Sequence, residues 1–139
     1  MLVQQGFAFL QNEFGFEKPY LDSTNRSYFV NYKKEELLVR VLYSITNNYI
    51  EVTIYNHISK VPPGKYDWRY SVCLMHLLGK RDPPLDYNKF MSDKIPLEDS
   101  INKLARLLKE YAASILEGKE WISWGEITGF NQYVPPDLP

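Results

Sequence analysis

The chain has 139 residues, 45% of them hydrophobic, with 16 Lys plus Arg against 17 Asp plus Glu and a formal net charge of -1. That length suits one domain with one core, and the composition is far from that of a disordered chain. Balanced charge, with no run of like sign longer than two, disfavours an extended phosphate-binding face and so a nucleic-acid partner.

Val3, Phe7, Leu10 and Phe14 recur at steps of four, three and four, which predicts one amphipathic helix ending near Gly15. The stretch "EKPYLDSTNR" that follows carries Pro, Asp, Ser and Asn and reads as a loop. Three strands are expected next, over residues 27–32, 36–44 and 49–55. The first sets Tyr28, Val30 and Tyr32 on one face. The second sets Leu37, Val39, Val41 and Tyr43 opposite Leu38, Arg40 and Leu42, and the third sets Ile50, Val52 and Ile54 opposite Tyr49, Glu51, Thr53 and Tyr55. The connections "KKEE" and "TNN" are too short for a parallel crossover, so the strands should form an antiparallel meander.

"NHISKVPPGK" reads as a breaker-rich loop, and "YDWRYSVCLMHLLGK" as a second helix stopped by the prolines after Asp82. From Pro96 to Glu117, Ile101, Leu104, Leu108, Tyr111 and Ile115 repeat at helical spacing, with Glu98 and Asp99 suited to the start and Gly118 to the stop. The aromatic tail "WISWGEITGFNQYVPPDLP" has no long periodicity, and residues 131–139 are expected to be mobile. The fold class expected is α+β in a single domain over residues 1–139, the meander packed on one face by an N-terminal helix and two or more C-terminal helices.

On a helix, Cys73 and His76 would share a narrow strip with Arg69 and Lys80, whose positive charge would favour the thiolate. That makes a small cysteine-dependent enzyme or redox sensor the alternative function. Against it, two residues on one helix leave nothing to orient the imidazole or hold an acyl intermediate. The local text also fits no cysteine-protease signature. His57, His76 and Cys73 form no metal-ligand spacing, so no metal is expected. The 7 glycines are scattered with neither a G-x-G-x-x-G nor a Walker pattern, so no nucleotide cofactor is expected. Glu13 with Glu17, and Glu35 with Glu36, read as solvated charges.

What is left is surface. Tyr28, Tyr32, Tyr43, Tyr49 and Tyr55, with Arg40 and Glu51, would furnish a sheet face for recognising another protein, Tyr and Arg being prominent in binding hot spots. The same rings would also brace a sheet by cross-strand pairing. One cysteine allows no internal disulfide. The N-terminal stretch lacks the basic start and apolar run of a secretory signal, and no segment has the roughly eighteen apolar residues of a membrane span. The expected setting is cytoplasmic, with no membrane partner.

The layout, with "FLQNEFGF" first, then three strands, an apolar helix and a long helix ending "YAASILEGKEW", resembles small uncharacterised bacterial proteins, some of which are similar to the immunity proteins that neutralise polymorphic toxins. The likeness spans roughly residues 5–125 and rests on pattern. It implies a protein that binds another protein, without cofactor or catalytic residues. A homodimer formed through the sheet edge or the aromatic tail is a further expectation.

Overall fold

The computed structural model describes residues 2–45, 49–60, 69–80 and 95–121, and places among them five antiparallel strands and four helices. The strands are β1 (Tyr20–Ser23), β2 (Ser27–Lys34), β3 (Leu37–Ser44), β4 (Tyr49–Tyr55) and β5 (Ser71–Cys73), and they lie side by side in chain order. The helices are α1 (Leu2–Gly6), α2 (Phe9–Asn12), α3 (Leu74–Lys80) and α4 (Leu97–Leu116). The α+β class and the antiparallel meander of β2, β3 and β4 agree with the sequence reading, but the sheet has five strands rather than three.

Period-two patterning explains which face the helices cover. Val30 and Tyr32 from β2, Leu37, Val39 and Val41 from β3, Ile50, Val52 and Ile54 from β4, and Val72 from β5 all enter one apolar core. Against them lie Val3, Phe7 and Leu10 from the N-terminal segment, Leu74, Leu77 and Leu78 from α3, and Ile101, Leu104, Leu108, Ala112 and Ile115 from α4. Burying each large aliphatic side chain contributes about 1.5–3 kcal/mol, so this layer is the main source of stability.

Helix α4 is held at both ends. Glu98 and Asp99 occupy its first turn, where negative charge complements the helix dipole. At the other end Gly118, with φ 77°, takes the left-handed position of a Schellman motif. There the Lys119 N–H donates to Ser114 O at 2.9 Å and the Gly118 N–H to Ile115 O at 3.0 Å. The Leu116 carbonyl accepts from Lys34 Nζ, which also donates to Phe14 O at 2.9 Å. A lysine at the end of β2 thus caps the helix packed on top of it.

Three expectations are corrected. The N-terminal helix is two short helices, because the hydrogen bonds tighten between them: Leu10 N–H donates to Phe7 O at 3.1 Å and Gln11 N–H to Ala8 O at 3.1 Å, both at a spacing of three. Val3, Phe7 and Leu10 still face the core. The segment read as a loop contains β1, whose four residues are all exposed, so no hydrophobic alternation announces it. It forms because Thr24 N–H donates to Ser27 O at 2.9 Å, closing a tight turn that returns the chain along β2. The segment read as a second helix starts with β5, paired to β4 through Thr53 with Cys73, Ile54 with Val72 and Tyr55 with Ser71, and turns helical only at Leu74. The expectations for residues 46–48, 61–68, 81–94 and 122–139, the mobile tail included, lie outside the described residues. No helix among the described residues is long and apolar enough to cross a membrane.

Candidate functional site

The face of the sheet turned away from this core carries a row of polar side chains. Register places Tyr20, Asn31, Arg40, Thr53 and Cys73 directly opposite one another in succession, one from each strand. Beside it runs a second row, Asp22, Phe29, Leu42 and Glu51. Asn31 is 2% exposed and donates from Nδ2 to Tyr20 O at 3.2 Å, tying the edge strand to its neighbour. Polar side chains are ordinary on the open face of an antiparallel sheet, so the informative feature is that Asn31 and Arg40 in this row are largely withdrawn from water.

Arg40 sits at the centre. Its guanidinium lies over the Phe29 ring at 3.8 Å and faces Asp22 Oδ2 at 3.5 Å, with the Arg40 side chain 16% exposed and that of Asp22 60% exposed. The stacking is the cation–π arrangement favoured for arginine. The ion pair is longer than a hydrogen bond, and Arg40 Nε is buried without an acceptor. A guanidinium has five N–H donors, so most of this one's hydrogen-bonding capacity is unspent.

Toward β5 the row changes character. Cys73 Sγ donates to Glu51 Oε1 at 3.2 Å and lies 3.5 Å from Thr53 Oγ1. Burial pushes the Cys73 thiol up to about 12, the Thr53 hydrogen bond opposes this, and the charge of Glu51 adds to the rise. The group is therefore a thiol at neutral pH, the reverse of the activated thiolate that flanking positive charge would produce. Burial first, and then the charges of Glu51 and Cys73, hold Tyr49 above its ordinary range.

The sequence-predicted residues divide between the two faces. Arg40, Glu51, Tyr49 and Tyr55 fall on the polar face by register, and Tyr49, at the start of β4, also packs against the core. Tyr28, Tyr32 and Tyr43 fall on the face the helices cover: Tyr32 is 0% exposed with its hydroxyl unpartnered, Tyr43 packs against the core, and Tyr28 is 44% exposed. The five tyrosines therefore do not share one surface. Cys73 and His76 do not share a helix face either, because Cys73 ends β5 and His76 lies in α3. Burial lowers the His76 pKa, which keeps the imidazole neutral to lower pH. Tyr20, Asp22 and Phe29 were missed. For the first two, the available signal was the tight "STNR" turn between them and β2.

Among the described residues no group of three or more His, Cys, Asp and Glu could hold a metal ion. The arrangement offers a desolvated cation, aromatic surface and a carboxylate on a stiff sheet, which suits recognition of acceptor groups on another macromolecule. Compared with protein-family models, curated proteins and solved structures, the chain matches none.

Proposed function

We propose that this chain is a non-enzymatic protein-binding domain of the immunity or regulatory type, engaging its partner through the polar face of the sheet with Arg40 as anchor. The supporting observation is the state of Arg40, a guanidinium stacked on Phe29 at 3.8 Å with one exposed, elongated ion pair and a buried Nε lacking an acceptor. An incoming carboxylate or backbone carbonyl that displaces Asp22 would accept from the Nη2 donor that now faces Asp22, while the buried Nε marks how far the guanidinium is desolvated. Desolvated arginines flanked by aromatic residues are where interfaces concentrate their energy. Tyr20, Tyr49, Tyr55 and Glu51 would surround the contact. The proposal sets the protein in the cytoplasm, a compartment compatible with a single unpaired cysteine.

The test is affinity capture from the native cytoplasm with the wild type and with Arg40→Met, followed by growth rescue when the captured partner is expressed with either form. Arg40→Met keeps most of the aliphatic packing and removes a buried charge, so folding stability should be equal or higher. Capture and rescue should be lost, a hot-spot truncation costing about 2 kcal/mol or more, roughly thirtyfold in affinity. Equal capture by both forms would reject the Arg40 face. A partner that is chemically altered by the chain would reject the non-enzymatic reading.

A further inference from the structure

The two edges of the sheet are not equivalent. Beside β5 the Trp121 indole donates to Arg69 O at 2.7 Å, and the strand runs straight into α3. At the other edge β1 is the outermost strand, with all four residues exposed. Thr24 N–H donates to Ser27 O at 2.9 Å, and ladder bonds alternate along an antiparallel strand, so Tyr20 and Asp22 bond to β2 while Leu21 and Ser23 turn N–H and C=O outward. The Ser23 N–H is already taken, donating to Asp22 Oδ1 at 2.9 Å. Pro19, the outward position just before the strand, has no N–H. Among the described residues, the edge from Pro19 to Ser23 therefore keeps one open donor–acceptor pair, that of Leu21.

Apolar surface collects at the same corner. Tyr20, Leu21, Tyr28 and Ile45 are 51%, 57%, 44% and 48% exposed. Register sets Leu21 opposite Val30 and Tyr28 opposite Tyr43, on the face the helices cover, so the helix layer stops short of Leu21 and Tyr28. Tyr20 and Asp22, on either side of Leu21, lie on the polar face. An open strand edge bordered by exposed apolar side chains is a site of association.

We propose that β1 pairs antiparallel with β1 of a second copy of this chain, about a two-fold axis at Leu21, so that the two sheets become one. The edge is self-complementary about that point, as a two-fold contact requires. Leu21 meets Leu21 of the second copy, each donating its open N–H to the other's carbonyl, and the two side chains cover one another. Tyr20 meets Asp22 of the second copy, twice over. There a phenol donor faces a carboxylate whose lone pairs are not exhausted by the Ser23 N–H and the 3.5 Å approach of Arg40. Pro19 meets Ser23, where one residue has no N–H and the other's is taken, so the pairing strands no donor. A longer foreign strand would look for ladder partners at those flanking positions and find none, whereas the symmetric pair uses Leu21 alone. The axis stands perpendicular to the sheet, which keeps both polar faces on one side and both Arg40 side chains uncovered. The inference goes beyond the protein-binding reading above and does not depend on it.

A contact along one short strand falls below the roughly 1,200 Å² of stable interfaces, so the dimer should be weak, with a dissociation constant on the order of 100 µM. Sedimentation velocity of the full chain from about 10 µM to about 1 mM should show monomer and dimer and no larger species, because a two-fold contact closes on itself. Leu21→Lys and Leu21→Glu each set like charges opposite one another at the axis, and each alone should stay monomeric across that range. An equimolar mixture of the two should dimerise again, since unlike charges then face each other. Leu21 is exposed, so neither variant should lower the urea midpoint, and loss of the dimer would not reflect unfolding. Tyr20→Phe removes both phenol donors and should weaken the dimer by about threefold to tenfold. A wild type that remains monomeric to about 1 mM, a dimer indifferent to Leu21→Lys, or a mixture of the two charge variants that stays monomeric overturns the proposal.

Discussion

Gly6→Ala sets two effects of opposite sign against each other at the contact between α1 and α4. An ideal Cβ at Gly6 would lie 2.4 Å from Ile101 Cγ2, where carbon atoms prefer about 3.5–4.0 Å, so something must move by more than about 1 Å. Ile101 is 1% exposed and belongs to the packed core, which leaves it no free volume to move into. Overpacking of this kind costs about 1–3 kcal/mol. Because Gly6 is helical and lacks a positive φ, alanine would recover about 0.5–1 kcal/mol of backbone entropy. The steric cost wins, and Gly6→Ala should destabilise by about 1–2 kcal/mol, read as a lower urea midpoint at unchanged slope. Ile101→Leu moves the branch from Cβ to Cγ and deletes the clashing methyl group. Adding it to Gly6→Ala should therefore give a favourable coupling of about 1 kcal/mol in a double-mutant cycle. A Gly6→Ala protein as stable as the wild type, or a cost indifferent to Ile101→Leu, would refute the close contact between α1 and α4.

Tyr32→Phe removes a fully buried hydroxyl that has no hydrogen-bond partner. It should raise unfolding stability by about 1 kcal/mol in urea, whereas a loss of that size would mean that the hydroxyl is bonded. Lys34→Met strips the Leu116 and Phe14 carbonyls of their donor while keeping most of the stem, and should cost about 1.5–3 kcal/mol, with hydrogen exchange accelerating first in the last turn of α4. Cys73 and Tyr32 both have folded pKa values raised to about 12, from 9.0 and 10.0. Their stabilising contributions are thus complete below those ordinary values and fall away as pH rises toward about 12, because the unfolded chain loses these protons first. Cys73→Ala should flatten the alkaline limb of a stability-versus-pH curve from about pH 9 upward. In the native wild type at neutral pH, iodoacetamide should label Cys73 more slowly than free cysteine, and labelling at or above the free rate would contradict a buried thiol donating to Glu51.

How much of the site was legible depends on the range of the interaction involved. Arg40 and Glu51 stood out as charges inside apolar strands, and strict alternation assigned them to the face opposite Val39 and Val52. Alternation also placed Tyr32 with Val30, but it does not say which face the helices cover, so a buried core ring was grouped with the surface tyrosines. Asp22 and Tyr20 carried no pattern of their own, since a four-residue exposed strand is specified by its partner β2.

The amino-acid sequence alone determined the three long strands, their antiparallel order and the span of α4, because a repeat of two or of three to four apolar residues is a local property that survives only if one face is buried. The tertiary structure alone decided the edge strands β1 and β5, the division of the tyrosines and the protonation state of Cys73. Each of those depends on a neighbour distant in the chain: a ladder partner that supplies the hydrogen bonds, a helix layer that selects the dry face, or a carboxylate brought from β4 against a buried thiol.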